Sequence, residues 1–483
     1  MRLILLMITA LLLTRLARAD LAFPPDFEFG LASAPAHAED QLHDTWELWA
    51  DQGHVAAFSP KLKPKERLRF WTQPEIEIEL AAKTGIGIYR LGVDWGRLVP
   101  HQPGTNKCAG VCPRGIQDRE ALEQYRKILK LAKAKNLKVM LTLFHHSSPK
   151  WFAQTGGWLN PETSDLFRDF SLEVMKELGA DVDVWITLNE PTVFGLLTYV
   201  EGLWPMGTKS SPVQMLDLGV WSGTYARAMK LMAKSHREIF AAARAQGIKT
   251  PIGIAHHFSY ILNTDGSRPF WVGLADRVWT WSFLDQIQDH MDFVGMNYYG
   301  AEFPRLFTNS PLANQEYSEA GRAVNPRGLY DLLKAAHARY QKPIFITENG
   351  IADSTDWLRP AYMTEHLAAV HQALAEKIPV QGYIFWTLSD NWEWADGYCP
   401  KFGLMRVERE QNLERTPRDS YELYKSIATN RSVTDDQRSL AWSLVEEHVG
   451  QDRPFCRASD GLGSLDEPEP RPVQPFNWRF EAL

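Results

Sequence analysis

Apolar positions along the chain fall into two alternating patterns. Short runs rich in β-branched and aromatic residues recur at 27–33, 86–93, 138–144, 184–189, 252–257, 292–298, 343–348 and 381–387. Several are apolar at nearly every position, as parallel strands covered on both faces by helices tend to be. Between them lie segments with helix-period patterning, which predict helices over 121–135, 166–178, 225–244, 328–340 and 362–376. The alternation predicts a parallel α/β fold. Eight strand runs, the last ending near residue 387, favour a closed (β/α)8 TIM barrel over an open sheet.

Polar residues cluster where these runs end. His145 follows the third, Asn189 and Glu190 close the fourth, Asn297, Tyr298 and Tyr299 the sixth, and Thr347, Glu348 and Asn349 the seventh, while Trp386 falls in the eighth. In such a barrel the C-terminal strand ends form the rim where active sites are built, so residues far apart in sequence converge on one cup. A lone carboxylate after a strand is ordinarily a helix cap or a solvated loop residue. Several polar strand ends in one barrel point instead to a site.

The termini read differently. Arg2, an apolar run over 3–13 and the small-x-small triplet Ala17-Arg18-Ala19 have the form of a secretory signal peptide cleaved after Ala19. The run is too short to span a bilayer as a helix, which needs roughly 20 residues. The expectation is a domain plan of signal peptide 1–19, barrel 20–430 and a C-terminal extension 431–483 that packs on the barrel, anchored by Trp442 and Trp478. The mature protein is expected to be exported, periplasmic or secreted, with no stable membrane span.

Charge and composition then exclude some partners. Lys and Arg number 52 against 59 Asp and Glu, a net charge of −7; loss of Arg2, Arg15 and Arg18 with the leader takes −7 to −10. No basic tract suits a nucleic acid. Aromatic residues make up 12% of the chain, with 18 Trp, and indole faces suit the C–H faces of sugars as well as a core. Four cysteines permit three pairings. Cys108 and Cys112 share a turn-rich loop and could bridge locally; Cys399 and Cys456 stand apart, and no spacing has the form of a zinc site. Neither a metal nor a cofactor is implied.

Two carboxylates carry the candidate chemistry. Glu190 sits in Thr187-Leu188-Asn189-Glu190-Pro191 and Glu348 in Ile346-Thr347-Glu348-Asn349-Gly350. Breaking a glycosidic bond requires a proton for the leaving oxygen and stabilisation of an oxocarbenium-like carbon. Two carboxyl groups in different environments supply both. The two motifs resemble those of family-1 glycoside hydrolases, retaining β-glycosidases on a (β/α)8 barrel. The likeness spans roughly residues 24–425 and includes Tyr89-Arg90, Thr142-Leu143-Phe144-His145, Gly156-Gly157-Trp158, Asn297-Tyr298-Tyr299 and Asn391-Trp392-Glu393-Trp394.

The resemblance implies that Glu190 is the general acid/base and Glu348 the nucleophile, with Arg90 and Tyr299 supporting the nucleophile. It also implies that His37, His145, Asn189, Asn297, Trp386, Glu393 and Trp394 hold the terminal sugar. Glu393 would repel a phosphorylated sugar, so the site resembles the neutral-sugar branch.

Two positions depart from the usual family pattern. His37 stands where a Gln is usual, and His146 where a Trp is usual. The same departures, in Ala34-Pro35-Ala36-His37-Ala38-Glu39-Asp40 and Phe144-His145-His146, resemble the plant sensitive-to-freezing galactolipid galactosyltransferases. So do Arg438-Ser439-Leu440-Ala441-Trp442, Arg453-Pro454-Phe455 and Trp478-Arg479-Phe480 in the tail. That branch implies a β-galactosyl donor and a lipid-linked acceptor, although a cleavable signal is expected here in place of its long N-terminal membrane anchor. The expected activity is retaining hydrolysis of terminal β-D-glucosides or β-D-galactosides, with transglycosylation as a further outcome. The alternatives are galactosyl transfer between glycolipids and, remotely, a carbohydrate-binding protein on a dead barrel. The partner is a carbohydrate or glycolipid substrate.

Overall fold

A computed structural model describes residues 20–55, 67–207, 223–303 (without 264, 266 and 268), 312, 314–457 and 464–481. The expected leader, 1–19, lies outside the described residues.

Eight strands close into one parallel barrel: β1 (Glu28–Ala32), β2 (Ile88–Gly92), β3 (Lys138–Thr142), β4 (Val184–Asn189), β5 (Ile252–His257), β6 (Val294–Tyr298), β7 (Ile344–Asn349) and β8 (Val380–Phe385). Each pairs with its neighbours in sequence, and β8 returns to β1. Every residue of β4, β5, β6 and β7 is buried, which is why these runs show no polar alternation. Ile88, Met140, Ile186, Ala255, Phe345 and Ile384 belong to one apolar cluster that fills the barrel's interior. The barrel is therefore a packed core with a site only at its end. Close packing limits side-chain size along the strands: a Cβ on Gly295 would lie 2.2 Å from the Ile254 carbonyl oxygen.

The flanking helices include α1 (Pro74–Ala82), α2 (Arg119–Ala134), α3 (Pro161–Leu178), α4 (Pro191–Tyr199), α5 (Thr224–Ala245), α6 (Pro326–Tyr340), α7 (Arg359–Ala375) and α8 (Asp419–Asn430). In α2 the Asp118 side chain caps the first turn by accepting from Ala121 N–H at 2.8 Å, and Leu122, Tyr125, Ile128, Leu129 and Ala132 form the buried stripe. Several helices start earlier than apolar periodicity predicts. Pro161 and Pro326 open α3 and α6; Pro161 is exposed and Pro326 buried, and in both places a first-turn proline needs no N–H partner and already has helical φ.

Residues after α8 pack on the barrel's helices. Helix α9 (Asp435–Glu447) lies on α7, where the buried Glu365 carboxylate accepts from Arg438, from Trp442 Nε1 at 2.7 Å and from the Phe480 N–H at 2.7 Å. The Trp442 and Trp478 rings meet with centroids 4.5 Å apart. The proline-rich stretch is regular: β9 (Asp452–Arg457) pairs antiparallel with β10 (Ser464–Pro472) in a two-stranded ribbon, an edge position that tolerates proline. Two disulfides form, the local Cys108–Cys112 and Cys399–Cys456, the second tying β9 to the loop after β8. Among the described residues no helix is long and apolar enough to cross a membrane, and no cluster of His, Cys, Asp or Glu could hold a metal ion.

Candidate active site

A cavity of about 380 Å³ opens at the C-terminal strand ends, and Glu190 and Glu348 both line it. The backbone is irregular where each emerges. The β4–β5 register breaks between Ile186 and Asn189, and the β6–β7 register between Ile346 and Glu348. Such breaks re-aim side chains at the end of a strand. Glu190 itself adopts a left-handed conformation, φ 39°, and is held there by its N–H bond to Ala255 at 2.7 Å and by α4 starting at Pro191. A non-glycine residue in this region is strained, and the surrounding contacts must hold it.

Arg90 organises the floor. From β2 its guanidinium meets Glu348 and also donates to the Thr347 carbonyl at 3.2 Å, to Thr142 Oγ1 at 3.2 Å and to Asn189 Oδ1 at 2.6 Å. Tyr299 donates its hydroxyl to the other oxygen of Glu348. Burial pushes the Glu348 carboxyl up to about 7, and the Glu190 charge adds to this; Arg90 and Tyr299 work in the opposite direction. Both stabilise the carboxylate form.

The guanidinium has only donors, so it fixes the Asn189 amide with Oδ1 inward. Nδ2 of Asn189 then donates to His145 Nε2 at 3.1 Å. The His145 ring is neutral, because burial holds its pKa well below the usual value, so its proton sits on Nδ1. That nitrogen has no partner among the described residues, and His145 lines the cavity: it presents a hydrogen-bond donor. His37 is the complement. Its Nδ1–H donates to the Trp392 carbonyl, burial lowers its pKa to about 3, and Nε2 is left as an unpartnered acceptor. The expected Gln would offer both functions on one amide, whereas His37 offers an acceptor alone.

Trp386 and Trp394 also line the cavity, with the His37 ring against both at centroid distances of 4.9 and 4.1 Å. Glu393 lies beside them with a buried Oε2 lacking a partner. Burial, reinforced by Asp396, Glu348 and Glu190, pushes its carboxyl well above the ordinary range. Protonated, this group donates as well as accepts. Unpartnered buried polar atoms cost about 1–3 kcal/mol each, so these positions are open to hydroxyl groups of a ligand in the cavity.

Asn297 sits behind the cavity. It is fully buried and absent from the cavity wall. Thr347 Oγ1 donates to its Oδ1 at 2.7 Å, which turns Nδ2 toward Glu190 Oε1 at 2.9 Å, so its amide acts on the carboxylate. His146 is likewise buried away from the cavity wall, stacked on Phe194 and edge-on to Trp204.

Sequence reasoning passed over part of the wall. His257, at the end of β5, lines the cavity 3.4 Å from Glu190, and the strand-end rule that marked Asn189 applied to it equally. Trp204, Val193 and Leu197 form an apolar side, and Arg322 and Arg457 a cationic one. Arg457 comes from the extension, and no signal in the sequence announces it.

The glycosyl hydrolase family 1 model matches residues 21–287 and 278–433. The chain belongs to glycosyl hydrolase family 1. It is a glycoside hydrolase enzyme by that membership. Its similarity to the Arabidopsis thaliana protein described as galactolipid galactosyltransferase SFR2, chloroplastic, is 37% identity over 94% of this chain and 82% of that one. A beta-galactosidase of Saccharolobus solfataricus is 29% identical over 87% of this chain and 97% of its own. Among solved structures, the beta-glycosidase from Pyrococcus horikoshii superposes with a TM-score of 0.76 at 27% identity, covering 88% of this chain and 98% of that one.

Proposed function

We propose that this family 1 enzyme is a retaining β-glycosidase that acts on terminal β-D-glycosides by double displacement. The observation that carries the reading is the asymmetry of the two carboxylates. Glu348 alone receives both a guanidinium and a phenol, one on each oxygen, while Glu190 on the same cavity meets the Asn297 amide and the His257 ring, a partner that can give and take a proton. In the first step Glu348 attacks the anomeric carbon as the glycosidic oxygen departs with its electron pair and a proton from Glu190. In the second, Glu190 takes the proton of an incoming hydroxyl, whose oxygen displaces Glu348. His37, His145 and Glu393 bind the sugar hydroxyls, and Trp386 and Trp394 pack on its C–H faces.

A second reading concerns the incoming hydroxyl. Identity of 37% to a galactolipid galactosyltransferase across 94% of the chain favours a β-galactosyl donor and a glycolipid acceptor over water. The apolar side of the cavity, Val193, Leu197 and Trp204, supports an acceptor that is not itself wholly polar. Product analysis by mass spectrometry separates the two, using β-galactosyl and β-glucosyl donors with and without galactolipid. Oligogalactolipids select transfer, and free sugar alone selects hydrolysis. Intact donor throughout rejects both.

We further propose export through the leader at 1–19, a route the two disulfides fit because such bonds persist in oxidising compartments.

A further inference from the structure

Strand β5 ends in two histidines that go separate ways. His256 is fully buried with Nε2 on the Thr280 carbonyl at 2.8 Å, and burial lowers its pKa to about 4: it is a neutral core residue. His257 instead bridges two carboxylates at the cavity wall. Nδ1 lies 3.4 Å from Glu190 Oε1, and Nε2 lies 3.3 Å from Glu302 Oε1. Glu302 is itself anchored, by Arg322 and by Ser259 Oγ at 3.3 Å. The order Arg322, Glu302, His257, Glu190 is a chain of alternating charge ending at the acid/base carboxylate. Other ionisable groups within electrostatic reach are His256 on the same strand, His146 near Glu190, and Glu348, Glu393 and Tyr299, which all sense the Glu190 charge.

We propose that His257 is a positioning residue that stores the catalytic proton for Glu190. The proton rests on Nδ1 of His257 while Glu190 is ionised. As the glycosidic C–O bond breaks and its electron pair goes to oxygen, Glu190 receives the proton from His257 Nδ1 and passes it to that oxygen, leaving His257 neutral and Glu190 ionised. In the second step the acceptor hydroxyl gives its proton to Glu190, which returns it to His257, while Glu348 leaves the anomeric carbon with its electron pair. The relay needs no other reactant, and the resting state is restored.

Burial opposes ionisation of Glu190, yet the contact with His257 holds its carboxyl below the usual carboxylate range. Burial also disfavours the His257 cation, and Glu190 and Glu302 overcome this to raise it to about 9. An acid step at neutral pH therefore draws on the histidine.

The inference rests on the double-displacement reading, and pH profiles of kcat/KM test it. Wild type, His257→Gln and Glu302→Gln are compared on one donor with a poor leaving group and one with an activated aryl leaving group. The expected basic limb lies near pH 9 in wild type. It moves down by about one pH unit or more in His257→Gln, and by less in Glu302→Gln, which keeps the imidazole but removes one carboxylate. At pH 8 the poor leaving group loses about 10- to 100-fold in His257→Gln, while the activated donor changes little. An unmoved basic limb in Glu302→Gln and in any folded His257→Gln overturns the proposal, as does equal loss on both donors at every pH. Failure of the double-displacement reading shows separately, as turnover surviving in Glu348→Ala.

Discussion

Arg90 and Glu348 meet at the top of the barrel across 258 residues of sequence, one from β2 and the other from β7, and both are buried. The guanidinium also holds Asn189, and through it His145, so one side chain sets both the proposed nucleophile and a proposed sugar contact. Substituting Arg90→Met leaves Glu348 buried without its cation. Removing one partner of a buried pair costs about 3–5 kcal/mol, so thermal denaturation is expected to show a clear drop in Tm. In any folded fraction kcat falls by about two orders of magnitude or more, and Arg90→Lys recovers only part of it because a single ammonium cannot meet the four oxygens that Arg90 reaches.

Glu190→Ala removes the proton donor and leaves the nucleophile intact. Turnover of donors with poor leaving groups is expected to fall by about 10²–10⁴-fold, while activated donors still form the intermediate. Azide then enters the space vacated by the carboxylate and restores turnover. Equal losses on both donors would contradict the acid role.

The acidic limb of the pH profile reports Glu348. Its carboxyl is raised to about 7, chiefly by burial, and only the ionised form attacks carbon. Activity therefore rises as pH increases through about 7 and falls as Glu348 protonates below it. Tyr299→Phe deletes a hydrogen bond to the charged form, so the acidic limb moves to higher pH. A limb that stays in place, or moves to lower pH, argues against the Tyr299 contact.

Glu365 ties the extension to the barrel by accepting from Arg438, Trp442 and the Phe480 backbone in a fully buried position. Glu365→Ala leaves these donors unpaired and strands Arg438, at a cost of about 3–5 kcal/mol. Limited proteolysis is expected to cut the variant within 431–483 sooner than wild type, and a piece cut before Cys456 stays attached through Cys399–Cys456 until reduction.

Much of the barrel was legible because the strands advertise their burial. The runs at 184–189 and 252–257 coincide with β4 and β5 at both ends, since every side chain there is covered. The start of α3 was less legible because the exposed Pro161 acts through backbone geometry, which apolar period does not register. Glu190 and Glu348 stood out as strand-end acids within motifs. The orientation of Asn297 could not be read, because Thr347 decides which end of the amide faces Glu190. Arg457 is beyond local reading altogether: it reaches the cavity through the β9–β10 ribbon and Cys399–Cys456, and four cysteines in a sequence leave three pairings open.

The covalent role of Glu348 is the centre of this account, and trapping addresses it directly. A 2-deoxy-2-fluoro β-glycosyl donor with an activated leaving group slows release from the enzyme more than attack on the sugar. Digestion and peptide mass spectrometry are expected to find one fluoroglycosyl group per chain, on Glu348. A label on another residue, or full turnover by Glu348→Ala, would contradict it.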